Sequence, residues 1–376
     1  NESGDKMVYL DYSATTPVDE AVLDSFNKAI KYIGNPNSLH KLGVEAKALI
    51  DASTKQIANL LGVKPQEIIY TSGASEANNL AIKGIEAYKN RGQHIITTEL
   101  EHSSIYGPLS YMVDHGFEVD YVPLKNGLVD IDELEAMIKD ETILVSIGAV
   151  NSETGIRQPI EEIGQRLKKY EKVIFHSDIT QAVGKVPVDL TNVDLASFAA
   201  HKFFGLKGIG ALIKKEKVNL IPLIQGGKST TAYRSGTPAA PLIVSMAKAL
   251  RLAYENMKKD IELITDLNKK CTKFLKKYNN VYINSPKEAI SHILNISIIG
   301  VKPETMLHAL EADEIYISTQ SACATGDTSK AVMAVTNDVK RATSSIRISI
   351  SRKTTDKDIM QFLESFDKQY KRLVMK

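Results

Sequence analysis

Short apolar runs alternate with amphipathic segments between residues 67 and 215, and this alternation restricts the fold more than any other feature of the chain. The apolar runs predict strands at 67–71, 94–97, 117–122, 143–147 and 173–176, with one more at 212–213. The amphipathic segments between them predict helices at 74–90, 103–114, 131–139 and 160–170. Strand–helix alternation of this kind is typical of an α/β domain with a largely parallel sheet.

The pattern changes in the last third of the chain. A long helical region begins after Pro238 and continues towards Tyr278. It is followed by a strand pattern at 292–299, a helix at 304–311, a strand at 346–350 and a helix from Thr355. Because 376 residues exceed what one compact core usually takes, we expect two domains. The large domain is predicted at 14–255, and a smaller α+β domain at 1–13 and 256–376.

Composition excludes several classes of protein. A net charge of +2 is too small to indicate a nucleic-acid or membrane surface. There is no uninterrupted transmembrane run, and the polar start is not a signal peptide. The two cysteines cannot form a disulfide framework or a cysteine-rich metal site, which favours a reducing cytoplasm. The eight histidines show no paired-ligand spacing, so no catalytic metal is expected.

Lys202 is embedded in Ser197–Gly205, a stretch whose other residues are apolar or weakly polar. A lysine amine that loses its hydration has a lowered pKa and a free lone pair, which is what Schiff-base formation requires. The alternative is a lysine whose stem is buried while its amine reaches solvent.

Two polar residues follow the predicted strand at 173–176. Asp178 lies at its carboxyl end, the edge where open α/β sheets bind ligands, and could pair with the ring nitrogen of pyridoxal 5'-phosphate (PLP). Asp178 could equally cap a helix. Gln181 could complete a capping box or donate to the ring oxygen.

The turn Ser72-Gly73-Ala74-Ser75 lies between a predicted strand and a predicted helix. Free backbone N–H groups and hydroxyls at a helix N-terminus can bind an anion, so a phosphate site is one interpretation. An ordinary helix cap explains the same residues.

The two cysteines differ in their surroundings. Cys271 falls on a stripe with helical spacing and is predicted to be a packing residue. Cys323 lies in a patternless segment from Gln320 to about Ser329. A cysteine in such a loop is a liability unless its reactivity is used, so Cys323 is a candidate nucleophile.

These segments together resemble the cysteine desulfurases of the NifS/IscS type, which are fold-type I PLP enzymes of the class V aminotransferase group. The matching motifs extend over nearly the whole chain, and their order is more specific than any one of them. They are Tyr9–Pro17, Gly34-Asn35-Pro36, Thr71–Ala74, Glu101-His102, Asn151, Asp178–Gln181, His201-Lys202, Arg234–Thr237, Ser321-Ala322-Cys323 and Ser345–Arg347.

The resemblance implies a fold-type I PLP-transferase large domain with a mostly parallel sheet, plus a smaller α+β domain. Lys202 would hold PLP covalently, His102 would stack on its ring and assist proton transfer, and Asp178 and Gln181 would meet the ring nitrogen and hydroxyl. The resemblance implies further cofactor-binding residues: Ala74, Ser75, His201, Asn151 and, from the neighbouring subunit, Thr237. Ser75, His201 and Thr237 would bind the phosphate, and Asn151 would lie beside the substrate.

The resemblance also implies the reaction. Arg347, with Asn151 beside it, would bind the carboxylate of L-cysteine. Sulfur would pass to the Cys323 thiolate as a persulfide, L-alanine would leave, and the sulfur would go on to an acceptor protein. A homodimer is expected, with roles such as iron–sulfur cluster assembly or tRNA thiolation. An aminotransferase, a selenocysteine lyase and a scaffold that has lost turnover are the alternatives.

The chain departs from the family pattern at four places. Ala199 stands where a serine is common, which removes one phosphate hydroxyl, and Ser75 stands where threonine is commoner. Gly227–Ala232 replaces a glycine-rich segment with Glu-Arg, and Gln320 replaces a glycine before Ser-Ala-Cys.

Overall fold

The computed structural model describes residues 7–319 and 328–374. Its strands, in chain order, are β1 Val8–Tyr9, β2 Ile68–Thr71, β3 His94–Thr97, β4 Glu118–Tyr121, β5 Leu124–Lys125, β6 Leu128–Val129, β7 Thr142–Ser146, β8 Ile174–Asp178, β9 Leu195–Ala199, β10 Gly210–Lys214, β11 Val281–Ile283, β12 Ile293–Ile298, β13 Ile315–Tyr316 and β14 Ser345–Ser349. Its α-helices are α1 Glu20–Ala29, α2 Lys41–Leu61, α3 Ala74–Gly84, α4 Ser103–Asp114, α5 Ile131–Met137, α6 Ile160–Leu167, α7 Ala240–Leu275, α8 Pro303–Glu311, α9 Lys330–Thr336, α10 Val339–Ala342 and α11 Asp356–Val374.

A seven-stranded sheet forms the centre of the molecule, in the order β2-β10-β9-β8-β7-β3-β4. Every pairing in it is parallel except those of β10, which is antiparallel to both β2 and β9. The strands β2, β7, β9 and β10 are buried along their whole length, as expected for a sheet covered on both faces. The predicted α/β class with a mostly parallel sheet is confirmed.

The direction of these strands decides where the loops meet. Because β10 is antiparallel to both of its neighbours, β2 runs in the same direction as β9. The carboxyl ends of β2, β3, β7, β8 and β9 therefore lie along one edge of the sheet, which is the edge where such sheets place their ligands.

Several elements were not predicted from the sequence, among them the helices α1, α2, α9 and α10 and the strands β9 and β11. Helix α2 buries Gly43, Ala46 and Ser53 along with its larger residues, and these small side chains weaken the apolar stripe. Strand β9 is Leu-Ala-Ser-Phe-Ala, in which only two side chains are strongly apolar. Its burial between β8 and β10, rather than its own composition, stabilises it as a strand.

A second hydrophobic core surrounds the antiparallel sheet β11-β12-β14. Helix α7 belongs to both cores: Ala253 packs with the central sheet, whereas Ile264 packs with the second core. The start of the described chain joins the second core too, since β1 pairs with β13. The predicted boundary near residue 255 falls inside the continuous helix α7, and the division into domains stays a prediction.

Helix α7 has 36 residues, and its buried side chains occur from its first residue to its last, so this helix has a packing role. Cys271 is buried on it, and burial raises the pKa of this thiol to about 12, so Cys271 is an inert core residue as predicted. Leu263, about two turns before Cys271 on the same helix, is exposed. Neither α7 nor any other helix in residues 7–319 and 328–374 is long and apolar enough to cross a membrane.

Candidate active site

One open pocket lies where the carboxyl ends of the strands meet. Its volume is about 460 Å³, within the range of small-molecule and cofactor sites. Loops after β2, β3, β7, β8 and β9 all contribute to its wall. Eight of the residues predicted from the sequence line it: Ala74, Ser75, His102, Asn151, Asp178, Gln181, His201 and Lys202.

Lys202 lies in a single 3₁₀ turn, Ala200–Lys202, directly after β9. Its Nζ donates hydrogen bonds to the carbonyl oxygens of Ser13 (2.6 Å) and Ala14 (2.9 Å). Burial lowers the pKa of Lys202 to about 8, and the charge of Arg347 lowers it further, while Asp178 opposes the shift. Lys202 is therefore held as a partly desolvated amine on the pocket wall, which favours the reactive lysine over one whose amine extends into bulk solvent.

Asp178 ends β8, and its carboxylate is fixed from both sides. Oδ2 accepts a hydrogen bond from Asn78 Nδ2 (3.0 Å), and Oδ1 accepts from the backbone N–H of Thr180 (3.0 Å). The second contact caps a turn, so the capping role considered for this residue is real, but no α-helix follows. The carboxylate also lines the pocket, where it is available to a ligand.

Gln181 connects the pocket to the start of the chain. Its Nε2 donates to the carbonyl oxygen of Ser13 (2.9 Å), and its Oε1 accepts from Lys185 Nζ (2.9 Å). Ser13 therefore accepts hydrogen bonds from both Gln181 and Lys202. Because the two donors converge on one carbonyl, their side chains are held in a fixed relation to each other.

An anion site is formed at the N-terminus of α3. This 11-residue helix begins at Ala74 after Gly73, and no side chain caps it. The backbone N–H groups of its first turn thus lack intrahelical acceptors and can bind a phosphate together with the Ser75 hydroxyl. His201 lines the same wall of the pocket. Burial lowers the pKa of His201 to about 4, and the charge of Lys202 contributes to this shift, so the ring is a neutral hydrogen-bonding group.

His102 is the N-cap of α4. Its Nδ1 accepts a hydrogen bond from the backbone N–H of Ser104 (3.1 Å), which orients the ring. A neutral imidazole held in this way carries its proton on Nε2. The ring lines the pocket, so its capping role and a role towards a ligand are compatible.

Glu101 and Asn78 were assigned no role from the sequence. Asn78 is completely buried, and its amide reaches both Asp178 and Ser104. Glu101 accepts hydrogen bonds from Thr98 Oγ1 and from the backbone N–H of Gly148. Burial raises the pKa of Glu101 to about 8, and the nearby Asp178 charge raises it too, so this carboxyl is mainly protonated at neutral pH. Glu101 belongs to the motif Glu101-His102, and Asn78 is a polar residue within the predicted helix 74–90, but neither signal indicated a role.

Asn151 and Arg347, the two residues predicted to bind the substrate, differ in their position relative to the pocket. Asn151 lines the pocket, and its Oδ1 accepts from the backbone N–H groups of residues 153 and 154. Arg347 is not part of the pocket wall. It is buried on β14, where its guanidinium donates to Asp11 Oδ1 (2.9 Å) and to the carbonyl oxygen of Ser152 (2.9 Å). Its Nε is buried without a partner among the described residues.

Thr237 does not line the pocket either, and its side chain is exposed. The segment that carries it is nevertheless tied to the anion site. Arg234 forms a bidentate ion pair with Glu76 in the first turn of α3 (3.1 Å for both contacts), and Ser229 Oγ donates to the carbonyl oxygen of Gly236. Gly227–Ala232 therefore leads into a segment anchored beside Ser75.

Ala199 is the last residue of β9 and is buried, so its methyl group occupies the place where a serine hydroxyl is common in the family. The candidate nucleophile Cys323 and the substituted Gln320 lie outside the described residues.

A group of possible metal ligands lies away from this pocket. His94, Glu118 and Asp120 bring one ligand atom each within 4.8 Å of one another on β3 and β4. His94 and Glu118 begin their strands, at the edge opposite the carboxyl ends. Both ring nitrogens of His94 already have partners, Asp120 Oδ2 (2.7 Å) and Thr142 Oγ1 (2.6 Å), so the group is satisfied without an ion.

Comparison with known proteins agrees with this geometry. The family "Aminotransferase class-V" matches residues 8–362. A cysteine desulfurase IscS of Glaesserella parasuis is 42% identical over 384 residues, covering 97% of this chain and 93% of that protein. Among solved structures, a NifS-like protein superimposes with a TM-score of 0.92 at 34% identity, covering 98% of this chain and all of the other. A structure of SspA in complex with cysteine has a TM-score of 0.80 at 32% identity, covering 92% and 99%.

The chain belongs to the class-V aminotransferases, a family of PLP-dependent enzymes. Within that family it groups with the cysteine desulfurases of the NifS/IscS type, and the predicted resemblance is confirmed.

The pocket residues fit PLP by their chemistry. An amine with a lowered pKa suits the aldehyde, a fixed carboxylate suits the pyridine nitrogen, an amide suits the ring hydroxyl, and an uncapped helix N-terminus suits the phosphate. These groups come from three connections at the same sheet edge, those after β2, β8 and β9, and they line one pocket.

Proposed function

We propose that this chain is a PLP-dependent cysteine desulfurase that transfers sulfur from L-cysteine to Cys323. The observation that carries the proposal is the Lys202 amine, which is largely buried, has a pKa lowered to about 8 and lies on the wall shared with Asp178 and His102. An amine in this state is nucleophilic near neutral pH, whereas an exposed lysine is almost fully protonated.

The pocket residues have distinct proposed roles. Lys202 would hold PLP and move a proton at its Nζ, Asp178 would keep the ring nitrogen protonated, and Gln181 would donate to the ring oxygen. His102 would lie against the ring and move a proton at its Nε2. The phosphate is bound by the first turn of α3, including Ala74 and Ser75, and by His201. Because Ala199 lacks a hydroxyl, the proposed phosphate site loses one hydrogen bond to a charged group, and such a bond typically contributes about 1.5–3 kcal/mol.

The substrate carboxylate is proposed to bind Arg347. A buried guanidinium whose Nε lacks a partner has a donor left for a carboxylate, and Asn151 adjoins the Ser152 carbonyl that already holds Nη1. Binding in this way requires the substrate carboxylate either to share Arg347 with Asp11 or to displace Asp11 from it. The SspA structure that contains cysteine supports an amino-acid substrate of this size.

PLP, when bound, supplies the electron sink that labilises bonds at the substrate's α-carbon. The overall transfer conserves atoms and electrons: the Cys323 thiol and L-cysteine give a Cys323 persulfide and L-alanine. The carbon–sulfur bond of cysteine breaks, a sulfur–sulfur bond forms on Cys323, and the carbon takes up a proton. The Cys323 thiol must ionise for this attack, since the thiolate is the nucleophile.

The test is to incubate the protein with PLP and L-cysteine, then measure alanine and the mass of the Cys323 peptide. We expect alanine together with a gain of one sulfur atom on that peptide. Cys323→Ser should abolish the adduct, and Cys271→Ser, which changes the buried core thiol, should keep it. Full alanine production by Cys323→Ser would favour a lyase of the selenocysteine lyase type, and no alanine from the unmodified protein would favour an aminotransferase or a scaffold.

A homodimer is part of the proposal. Apolar side chains are exposed between α1 and α2 and again near residues 221–224, with Leu39 96% and Ile33 81% exposed. Large exposed apolar side chains close in sequence mark interaction surfaces. A second copy is the proposed occupant, because the segment beyond residue 224 carries Thr237, whose exposed hydroxyl would then reach the neighbour's phosphate site.

The destination of the sulfur is an acceptor protein. Iron–sulfur cluster assembly is the proposed pathway, since relatives named IscS are similar over nearly the whole chain. A role in tRNA thiolation and a cytoplasmic location stay predictions from the sequence.

A further inference from the structure

Lys185 is a largely buried lysine that the proposed mechanism does not use. It lies one turn after Gln181, and its Nζ donates a hydrogen bond of 2.9 Å to Gln181 Oε1. Burial lowers the pKa of Lys185 to about 7, and the charges of Lys202 and Arg347 lower it further. Burying an amine beside two positively charged groups costs free energy, so the presence of Lys185 needs an explanation.

The hydrogen bond from Lys185 decides which way the Gln181 amide faces. An amide has one acceptor end and one donor end, and the Lys185 amine donates to the acceptor end. With Oε1 held by Lys185, the Nε2 end must face the Ser13 carbonyl, to which it donates at 2.9 Å. The second N–H of that Nε2 is then free for the pocket that Gln181 lines.

The same carbonyl also receives the Lys202 amine. Lys202 Nζ donates to Ser13 O at 2.6 Å, so a chain of three hydrogen bonds joins Lys185, Gln181, Ser13 and Lys202. A shift of the Gln181 amide would change the acceptor that Lys202 uses. The two groups proposed to hold the ring hydroxyl and the aldehyde carbon are therefore positioned by one network.

A small cavity lies behind this network, and both Lys185 and Lys202 line it. Its volume of about 30 Å³ can hold one or two water molecules. Two buried polar atoms that line it have no partner among the described residues, Ser13 Oγ and His292 Nδ1. Lys185 makes one hydrogen bond to the described chain, so water in the cavity would satisfy its other N–H donors. The titratable and charged groups that face Lys185 from the surrounding elements are Tyr12, His201, Lys202, Asp260, His292, Arg347 and Arg352.

We propose that Lys185 is a positioning residue for the cofactor site, which holds the Gln181 amide with its N–H towards the ring hydroxyl of PLP. The inference rests on the proposed function. Without Lys185, the Gln181 amide can turn over and present its oxygen to the ring. The ring hydroxyl of protein-bound PLP would then lose a hydrogen-bond donor, and that donor favours the deprotonated form of the linkage to Lys202.

The test compares Lys185→Met and Lys185→Arg with Lys89→Met, a matched change of an exposed lysine. The readouts are the pH midpoint of the visible absorbance change of bound PLP and the dissociation constant of PLP. We expect Lys185→Met to raise the midpoint by about half a pH unit or more and to weaken PLP binding, and Lys185→Arg and Lys89→Met to stay near the unmodified protein. Lys185→Gln, whose polar side chain suits the cavity but is too short to reach Gln181, should shift the midpoint in the same direction if the methionine variant does not fold.

Gln181→Leu separates positioning from simple loss of packing. If Lys185 acts through Gln181, adding Lys185→Met to Gln181→Leu should shift the midpoint by less than Lys185→Met does alone. Equal shifts in both backgrounds, or an unchanged midpoint in Lys185→Met, would overturn the proposal. An unmodified protein that binds no PLP would instead contradict the proposed function, so the two failures are distinguishable.

Discussion

The amine of Lys202 donates a hydrogen bond of 2.6 Å to the carbonyl oxygen of Ser13, which lies 189 residues earlier in the chain. Ser13 is itself fixed to β14, because its backbone N–H donates to Ser349 Oγ at 2.9 Å. The lysine on the central sheet is thus held against a segment that is bonded to the second core. The reactive amine lies at the junction of the two cores, where burial lowers its pKa.

Asp178→Asn should reduce alanine production by at least about 100-fold, because a neutral amide cannot keep the ring nitrogen protonated. The control is Asp189→Asn. Asp189 accepts the same pair of hydrogen bonds from Thr191 that Asp178 accepts from Thr180, and it lies outside the pocket. Steady-state rates with saturating PLP provide the measurement. Equal losses in the two variants would show that Asp178 matters only for its turn.

The stability of the protein without PLP should depend on the charge of Lys202. Its pKa in the folded state, about 8, is below the ordinary value of 10.5, so the unfolded chain binds more protons between these pH values. The charged amine destabilises the fold fully below pH 8, and this effect disappears as the pH rises to about 10.5. Urea unfolding of the apo protein should show Lys202→Met more stable than the unmodified protein at pH 7, by roughly 3 kcal/mol, with the difference shrinking at higher pH. A difference independent of pH would exclude the buried charge as its cause.

Glu101 should show the opposite dependence. Its folded pKa of about 8 is above the ordinary 4.5, so the folded state binds more protons and loses stability as the pH rises from about 4.5 to 8. Glu101→Gln removes the ionisation but keeps groups that can bond Thr98 and Gly148. We expect it to match the unmodified protein at pH 5 and to be more stable by a few kcal/mol at pH 8.5. Glu99→Gln, an exposed neighbour, is the control, and an identical pH slope for Glu101→Gln and the unmodified protein would contradict the raised pKa.

Leu39→Asp should break the proposed homodimer, because it places a charge on the most exposed large apolar side chain of the described residues. Mass measured by light scattering during size-exclusion chromatography should fall from twice the chain mass of 41.4 kDa to a single chain. Met360→Asp, a matched change at an exposed position on α11, should stay dimeric. An unmodified protein that elutes as a monomer would remove the dimer from the account.

The strands β2, β3 and β7 were predictable because they are buried and consist mainly of apolar residues. Asp178 stood out because it closely follows an apolar run, and Lys202 because it is embedded in a stretch of apolar and weakly polar residues. The network behind them was not predictable. Nothing in the local sequence places Ser13 against Lys202, since that contact depends on how the two cores pack. The same holds for Arg347, whose pairing with Asp11 comes from a bridge between Asp11 and β14.

The most direct test of the account is to trap PLP on the protein with borohydride and to find the modified lysine by peptide mass measurement. The account predicts that the reduced PLP adduct lies on Lys202 and that Lys202→Arg carries none. An adduct on Lys185 or Lys207, which line the two cavities beside it, or no adduct on an unmodified protein supplied with PLP, would contradict the claim that Lys202 holds the cofactor.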